Sequence, residues 1–146
     1  MAYAATPMNS TEPSAISRTV TVIPPAPKET VFSFLSKPDN LPAWATEFCQ
    51  ELKREGTHHV VVTSSGDLYF RIEADAATGV IDMFSGPTPE EQAIFPCRVI
   101  SMSEQTSAVT FTFFRPPEMT IEIFERQHGS LILEMDGLVR FFSARR

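Results

Sequence analysis

One stripe of residues near the C-terminal end of the chain constrains the fold more than any other feature. Its members recur at steps of three and four, the repeat of one face of an α-helix. They are Ile121, Phe124, His128, Leu131, Met135, Leu138 and Phe142. Thr120 is a residue type that caps helix starts, and Arg140 has the charge favoured in a last turn. The sequence therefore predicts a long amphipathic helix from Thr120 to Phe142 that must pack against another element.

That other element is predicted to be an antiparallel sheet. Segments rich in β-branched and aromatic residues precede the helix, and turn signals such as Ser65-Gly66-Asp67 and Thr78-Gly79 separate them. The predicted strands are residues 18–23, 48–55, 59–64, 68–75, 80–84, 93–102 and 108–114. A short helix is predicted over Lys28–Leu35, and a second one restarts from Asn40 after Pro38. This order predicts an α+β fold.

Length and composition predict one globular domain. The chain has 146 residues, of which 42% are hydrophobic, and 12 are phenylalanine. Residues 1–15 are rich in Ala, Ser, Thr and Pro and have no hydrophobic periodicity. They are predicted to be a flexible lead-in to a single domain over residues 16–146.

Charge and cysteine content exclude several classes of function. The formal net charge is −6 and there is no cluster of basic residues, so nucleic acid is not an expected partner. Cys49 and Cys97 lack the spacing of a zinc site or a disulfide scaffold, which predicts two reduced thiols and no metal. No apolar run is long enough to span a membrane and the start does not resemble a signal peptide, so a cytoplasmic location is expected.

Several sequence words resemble the SRPBCC superfamily, the START-like, polyketide cyclase/dehydrase-type proteins. They are T-V-T-V-I-P-P-A-P-K-E-T-V-F-S-F-L with N-L-P-A-W, then G-V-I-D, F-P-C-R-V, and V-T-F-T-F-F followed by M-T-I-E-I-F-E-R-Q. The resemblance covers about residues 16–142 and implies a helix-grip fold, in which a seven-stranded antiparallel sheet surrounds the C-terminal helix. It also implies a cavity for lipids, sterols, polyketides or other hydrophobic compounds.

Two histidines and one arginine are the polar candidates for a binding site. His59 shares a strand face with Val61 if the turn pairs Ser64 with Asp67, and that face is apolar. His128 interrupts the apolar stripe of the long helix, so it can offer an imidazole to a ligand. Arg98 can anchor a ligand carboxylate or carbonyl. For each, the alternative is structural: a buried histidine satisfied by a neighbour, or an arginine at the rim.

Aromatic residues complete the predicted ligand-binding set, although the same spacing is typical of core packing. These residues are Trp44, Phe70, Phe111, Phe113 and Phe124. A further polar group, Arg71, Glu73 and Asp82, is expected to form a solvated cluster on the opposite face, with Glu73 across from Asp82. The loop 86–91 and the connection 115–119 are predicted to be the mobile rim of the site.

The resulting expectation is a protein that binds a hydrophobic or amphipathic small molecule in an internal cavity, without cofactor or metal. Common hydrolase, nucleotide and zinc motifs are absent from the sequence. Two alternatives stay open. One is an enzyme resembling a polyketide cyclase or dehydratase, and the other is a protein-interaction module that uses the exposed edge of the sheet or the cavity mouth. A homodimer also stays open.

Overall fold

A computed structural model describes residues 16–146 of the chain, and in this part it forms seven strands and three α-helices. The strands are β1 (Ser17–Val22), β2 (Glu51–Glu55), β3 (His58–Thr63), β4 (Gly66–Asp75), β5 (Val80–Gly86), β6 (Ala93–Ser101) and β7 (Ser107–Phe114). The helices are α1 (Lys28–Leu35), α2 (Leu41–Trp44) and α3 (Ile121–Ser143). The predicted lead-in, residues 1–15, lies outside the described residues.

The strands form one sheet in the order β1-β7-β6-β5-β4-β3-β2, and every neighbouring pair is antiparallel. Strands β2 to β7 follow one another as a meander, while β1 crosses over to pair with β7. Alternate residues of each strand face α3, as the 4.6 Å separation of the Phe113 and Phe124 rings illustrates. We call this face the inner face. The predicted α+β helix-grip architecture is confirmed.

Helix α3 matches its predicted extent to within one residue. The Thr120 hydroxyl oxygen accepts a hydrogen bond from the Ile123 backbone N–H at 3.2 Å, which confirms the predicted cap. Most of the predicted stripe is buried, including Phe124 and Leu138, which have no exposed surface. Ile121 is the exception, since this first-turn residue is 55% exposed. The stripe therefore covers the inner face from the second turn of the helix onwards.

The predicted start of β2 at residue 48 is wrong, because the backbone before Glu51 makes local hydrogen bonds. The Phe48 N–H donates to a side chain of α3, and the Cys49 N–H donates to the Ala45 carbonyl at 2.7 Å. These donors are therefore unavailable to a strand ladder. The chain enters β2 only at Glu51, where pairing with Val62 of β3 begins.

The turn between β3 and β4 differs in register from the prediction. Thr63 pairs with Gly66, so the expected pair of Ser64 and Asp67 does not form. Each β3 residue therefore pairs with a β4 residue two positions earlier than predicted. Because side chains alternate between the two faces, a shift by an even number leaves every side chain on its predicted face. At the next turn, Glu73 pairs with Asp82 as predicted, and Arg71 makes an ion pair with Glu73 among exposed neighbours.

The segment after α1 contains a 3-10 turn, Pro38–Asn40, before α2 begins at Leu41. Asn40 lies at the predicted N-cap position, but its side chain does not cap α2. Its Nδ2 instead donates to the Phe34 carbonyl near the end of α1 at 2.8 Å. Asn40 thus fixes the angle between the two short helices. Within residues 16–146, none of the helices combines the length and apolar character needed to cross a membrane.

Candidate functional site

One row of side chains crosses the inner face of the sheet from β3 to β6. His59 pairs with Phe70, Phe70 with Ser85, and Ser85 with Ala93. Because directly opposed residues of antiparallel strands project to the same face, these side chains point towards the helix side together. The row places one aromatic ring between two polar side chains.

Apolar side chains next to this row are incompletely covered by the rest of the protein. Leu68, Ile72 and Phe95 face inwards, yet each keeps part of its surface exposed. The inner face is therefore not sealed by α3 at this position. We define the inner-face patch as His59, Leu68, Phe70, Ile72, Ser85 and Phe95.

Two polar atoms of the inner-face patch are buried without a hydrogen-bond partner in the described part of the chain, namely His59 Nε2 and Ser85 Oγ. The Asp39 Oδ1 atom lies 3.6 Å from His59 Nε2. That distance permits attraction to a protonated imidazole, but it is too long for a hydrogen bond, so we treat Nε2 as unpaired. Ser85 is only 7% exposed. Unpaired buried polar atoms are uncommon in proteins and require an explanation.

The other aromatic residues of the predicted site form two packed clusters on the same side of the sheet. Phe111 has the Trp44 ring at 6.1 Å and the Phe95 ring at 6.3 Å. Phe113 has the Phe124 ring at 4.6 Å and the half-buried His128 ring at 6.3 Å. All of these residues line the interior, and their packing is also what a core requires. Their role in binding stays a prediction.

Arg98 is the one predicted site residue that the structure does not bring to this group. Strand alternation buries its neighbours Cys97 and Val99, so Arg98 is exposed on the opposite face of the sheet. Its Nε atom donates to the Thr78 carbonyl in the β4–β5 turn at 3.4 Å. The observed contact is structural, and it ties that turn to β6.

Core side chains occupy much of the space between the sheet and α3. Buried apolar residues of α1, α2, the sheet and α3 form a continuous cluster there. Depressions on the surface of residues 16–146 include one of about 270 Å³ beside α1 and one of about 390 Å³ beside the end of α3. Neither depression is lined by a residue of the inner-face patch. A ligand at the patch would therefore need side chains or α3 to move.

Glu134 is a buried acidic residue that sequence reasoning missed. Its carboxylate accepts hydrogen bonds from the backbone N–H groups of Glu47 and Phe48 at 3.0 and 2.9 Å. Burial raises the pKa of the Glu134 carboxyl to about 7, although the two N–H donors act in the opposite direction. The sequence contained a signal for it, because position 134 is three residues after Leu131 and four before Leu138, on the buried side of the helix.

Ser85 was missed for a different reason. The predicted fifth strand ended at Phe84, whereas β5 continues to Gly86. Extending the alternation from Ile81 and Met83 by one more step places Ser85 on the inner face, where it pairs with Phe70. A small polar residue at the end of an alternating run was the available signal.

The cysteines do not belong to the site. Both are free and buried, in agreement with the prediction of reduced thiols. Burial raises the pKa of the Cys97 thiol to about 12, which keeps it protonated and unreactive at neutral pH. Burial, assisted by the nearby Glu134, also raises the pKa of Cys49. Among residues 16–146 there is no group of three or more potential ligands arranged to hold a metal ion.

Comparison with known proteins identifies the fold. No protein-family model and no curated protein matches the sequence. Solved structures do match over most of the chain. An aromatase/cyclase from Streptomyces sp. R1128 has a TM-score of 0.67 at 16% identity, over 90% of this chain and 95% of that chain.

Two further structures have the same arrangement. A START superfamily protein from Mycobacterium smegmatis has a TM-score of 0.61 at 14% identity, over 89% of this chain and 99% of that chain. Norcoclaurine synthase from Thalictrum flavum has a TM-score of 0.64 at 11% identity, over 87% and 86%. Identities this low carry information about the fold alone. Together with the strand order and the position of α3, they show that this chain has the START-like helix-grip fold of the SRPBCC type.

Proposed function

We propose that the protein binds an apolar or amphipathic organic small molecule between the inner face of the sheet and α3. The observation that carries this proposal is the inner-face patch, where half-buried apolar side chains surround a buried imidazole nitrogen without a hydrogen-bond partner. Part of this apolar surface is still in contact with water. A ligand that covers it removes that contact, which lowers the free energy and favours binding. The unpaired nitrogen supplies the small amount of polarity that orients a ligand in such a site.

The fold supports the same class of ligand. Two structures with this fold are named as an aromatase/cyclase and as norcoclaurine synthase, which are names of enzymes that act on small molecules. The helix-grip arrangement sets an apolar sheet face against a helix, and such concave, mostly apolar surfaces are where small molecules bind.

Binding at the patch requires the protein to open locally. The buried cluster between sheet and helix leaves little free volume, so ligand entry displaces side chains or shifts α3 outwards. Leu68 and Ile72 of the inner face are already partly exposed. Displacing their neighbours therefore exposes less additional apolar surface than it would elsewhere on this face. The proposed ligand therefore lies next to β4.

The direct test is native mass spectrometry of the freshly purified full chain, followed by titration with an environment-sensitive apolar dye. A bound molecule appears as added mass that is released on denaturation. Trp44, the single tryptophan of the chain, provides an internal signal because its ring lies beside Phe111 on the inner face. Absence of both added mass and saturable dye binding would contradict the proposal.

A matched pair of variants locates the site on the sheet. Ile72→Lys places a charge on the inner-face patch, whereas Ile100→Lys places the same charge on the opposite face, where Ile100 is 37% exposed. Burying an ammonium group beside an apolar ligand is costly, so Ile72→Lys should abolish dye binding. Ile100→Lys should leave binding unchanged. Circular dichroism checks that both variants are folded, and equal effects of the two substitutions would place the dye elsewhere.

A further inference from the structure

The row that crosses the inner-face patch has a polar group at each end. His59 and Ser85 are each paired with Phe70 across adjacent strands, so two strand spacings separate their backbones, about 10 Å in total. All three side chains project to the same face. The Phe70 ring therefore lies between two polar groups on one surface.

Both polar groups have unused hydrogen-bonding capacity. His59 Nε2 and Ser85 Oγ are buried and lack partners in the described part of the chain. A serine hydroxyl can donate one hydrogen bond and accept two, while an imidazole nitrogen donates or accepts according to its protonation. A buried polar atom without a partner costs free energy, and a ligand atom that pairs with it recovers that cost.

The surroundings restrict what such a ligand can be. Side chains of the inner-face patch other than His59 and Ser85 are apolar, so a charged ligand group would lose its hydration there. The solvent-exposed Asp39 carboxylate, 3.6 Å from His59 Nε2, further disfavours an anionic group at that end. A hydroxyl group is neutral and can pair with either group, because it both donates and accepts, whereas a carbonyl oxygen pairs only with a group that donates. A flat aromatic body can stack on the Phe70 ring in an offset or edge-on arrangement.

We propose that His59 Nε2 and Ser85 Oγ are the two polar ends of a subsite centred on Phe70, which binds a neutral, flat ring compound carrying an oxygen substituent at each end. This inference rests on the proposed function, because it specifies the ligand of the same inner-face patch. It assigns a binding role to Ser85 and a defined partner to His59. The ring body supplies the affinity, and the two hydrogen bonds supply the discrimination between ligands.

Three compounds with the same two-ring body separate these contributions. They are naphthalene, 2,3-dihydroxynaphthalene, whose hydroxyl groups lie at one end, and 2,6-dihydroxynaphthalene, whose hydroxyl groups lie at opposite ends. Equilibrium dialysis against the full chain gives the dissociation constant of each. The 2,6 isomer can reach both polar groups, whereas the 2,3 isomer can reach one. We expect the 2,6 isomer to bind about 2- to 10-fold more tightly than the 2,3 isomer, the effect of one additional neutral hydrogen bond.

The variants Ser85→Ala and His59→Leu each remove one end of the subsite. Either substitution should abolish the preference for the 2,6 over the 2,3 isomer, and naphthalene, which forms no hydrogen bond to either residue, should bind at least as tightly as it binds the wild type. Ser107→Ala is the matched control, because Ser107 is another buried serine whose Oγ lacks a partner in the described chain. Ser107 pairs with Ser101, eight residues along β6 from Ala93, which is roughly 26 Å along the strand. This control should not alter the preference.

Unfolding of the ligand-free variants supplies a readout that does not depend on binding. Ser85→Ala removes an unpaired buried hydroxyl, so the urea midpoint should stay the same or rise. A lower midpoint with an unchanged isomer preference would show that Ser85 is a structural residue and would overturn the inference.

The outcomes also distinguish this inference from the proposed function. If all three compounds bind with equal affinity, or if Ser107→Ala changes the preference as much as Ser85→Ala does, the subsite is refuted and the apolar site stands. If every compound binds the Ile72→Lys variant at least as tightly as it binds the wild-type chain, the proposed function is refuted. The subsite is then refuted with it.

Discussion

Glu134 is a buried carboxyl group whose pKa is shifted in opposite directions by two features of its surroundings. The backbone N–H groups of Glu47 and Phe48 stabilise the carboxylate, while burial in the core stabilises the neutral acid. Burial is the larger effect and raises the pKa of Glu134 from 4.5 to about 7. The connection between α2 and β2 therefore depends on a group that changes charge near neutral pH.

We predict that Glu134 makes the protein less stable as pH rises from about 4.5 to about 7. In this range the unfolded chain has already lost the proton that the folded chain retains, so the free energy of unfolding falls with increasing pH. The contribution is complete below pH 4.5 and lost above about 7, with an upper limit of ~3 kcal/mol. Urea denaturation at several pH values measures it.

Glu134→Gln is the control for this prediction, because it removes the Glu134 proton and leaves every other titratable group of the chain in place. Glutamine keeps an oxygen acceptor for the two backbone N–H groups but carries no proton that can be lost. The free energy of unfolding of the wild type minus that of the Gln variant, taken at each pH, therefore gives the contribution of Glu134. A difference that does not change between pH 4.5 and pH 8 would show that the carboxyl titrates normally.

His128 is a polar residue on the buried stripe of α3. Its substitution distinguishes a role in ligand binding from a role in the stability of the fold. Its half-buried ring lies 6.3 Å from that of Phe113, inside the interior. We predict that His128→Leu maintains or raises the free energy of unfolding, since an apolar group of similar reach replaces the imidazole. Affinity for the apolar dye should fall by ~1 to 3 kcal/mol if His128 donates to a ligand.

The exposed His58 provides the comparison for that variant. It contacts Tyr69 edge-to-face at 5.5 Å, outside the inner face. His58→Leu should leave dye affinity unchanged. A His128→Leu variant that loses stability while it binds the dye normally would identify His128 as a satisfied structural residue.

Individual side chains were the least predictable part of the sequence. His59 was placed on the correct face because the tight turn pairs its strand with β4, in which Leu68, Phe70 and Ile72 alternate with more polar residues. Ser85 and Glu134 were missed, because polarity alone suggests a surface position. Only the extension of β5 to Gly86 and the bonds from the Glu47 and Phe48 backbone place them inside. The helical spacing of Glu134 and the strand alternation at Ser85 were the local signals, whereas the hydrogen-bond donors to Glu134 come from a distant part of the chain.

The turn between β4 and β5 is held against β6 more tightly than its sequence suggests. Gly79 has a φ of +79°, and a Cβ atom built there would lie 2.1 Å from the Val99 carbonyl oxygen. The Val99 N–H donates to the Gly79 carbonyl at 2.9 Å, so this contact cannot relax without loss of a hydrogen bond. The Thr78-Gly79 turn therefore reverses the chain and also packs closely against Val99 of β6.

We predict that Gly79→Ala lowers the free energy of unfolding by more than ~3 kcal/mol, because left-handed strain adds to a clash with backbone. Gly56→Ala is the matched control. Gly56 also has a positive φ, of +60°, but nothing lies within 4 Å of the added Cβ atom. Its substitution should cost only the conformational strain, about 1 kcal/mol. Equal costs in urea denaturation would refute the role of the Val99 contact.

Elements with a long regular pattern were predicted well, and their ends less so. Helix α3 was recognisable because its apolar steps persist for six turns and a capping threonine precedes them. The start of β2 was not, because Phe48 and Cys49 have strand-like composition but their backbone N–H groups donate to Glu134 and Ala45. Strand propensity decides an assignment only where no competing hydrogen bonds exist.

The whole molecule combines a predictable architecture with an interior that sequence could not resolve. Sheet order and the position of α3 follow from the alternating strands, the short turns and the final amphipathic helix. The extent of free space between sheet and helix depends on how side chains pack in three dimensions. Phe111 and Phe113 face the interior, and packing geometry decides whether such residues fill a core or line a site.

A closed interior makes ligand entry a conformational event, and the rim of the sheet is where we expect it. Loop 86–91 directly follows Ser85, and within it the Glu91 N–H donates to the Thr88 hydroxyl oxygen at 2.9 Å and to the Thr88 carbonyl at 3.3 Å. The connection 115–119 is held by Arg115, which donates to the Met119 carbonyl at 2.8 Å. These segments have fewer backbone bonds than the strands they join, so they open at lower free energy.

We predict that amide hydrogens of both rim segments exchange faster than those of β6 and β7 in the free protein, and that a ligand slows them selectively. If opening the rim releases 2,6-dihydroxynaphthalene, a concentration 100 times its dissociation constant should slow exchange there by about 100-fold. Amides of β2, at the far edge of the sheet, should change little because β2 carries no residue of the inner-face patch. Hydrogen exchange with mass spectrometry resolves these segments. Rim amides as protected as the central strands before ligand is added would exclude this route of entry, since a ligand cannot pass through a rim that does not open.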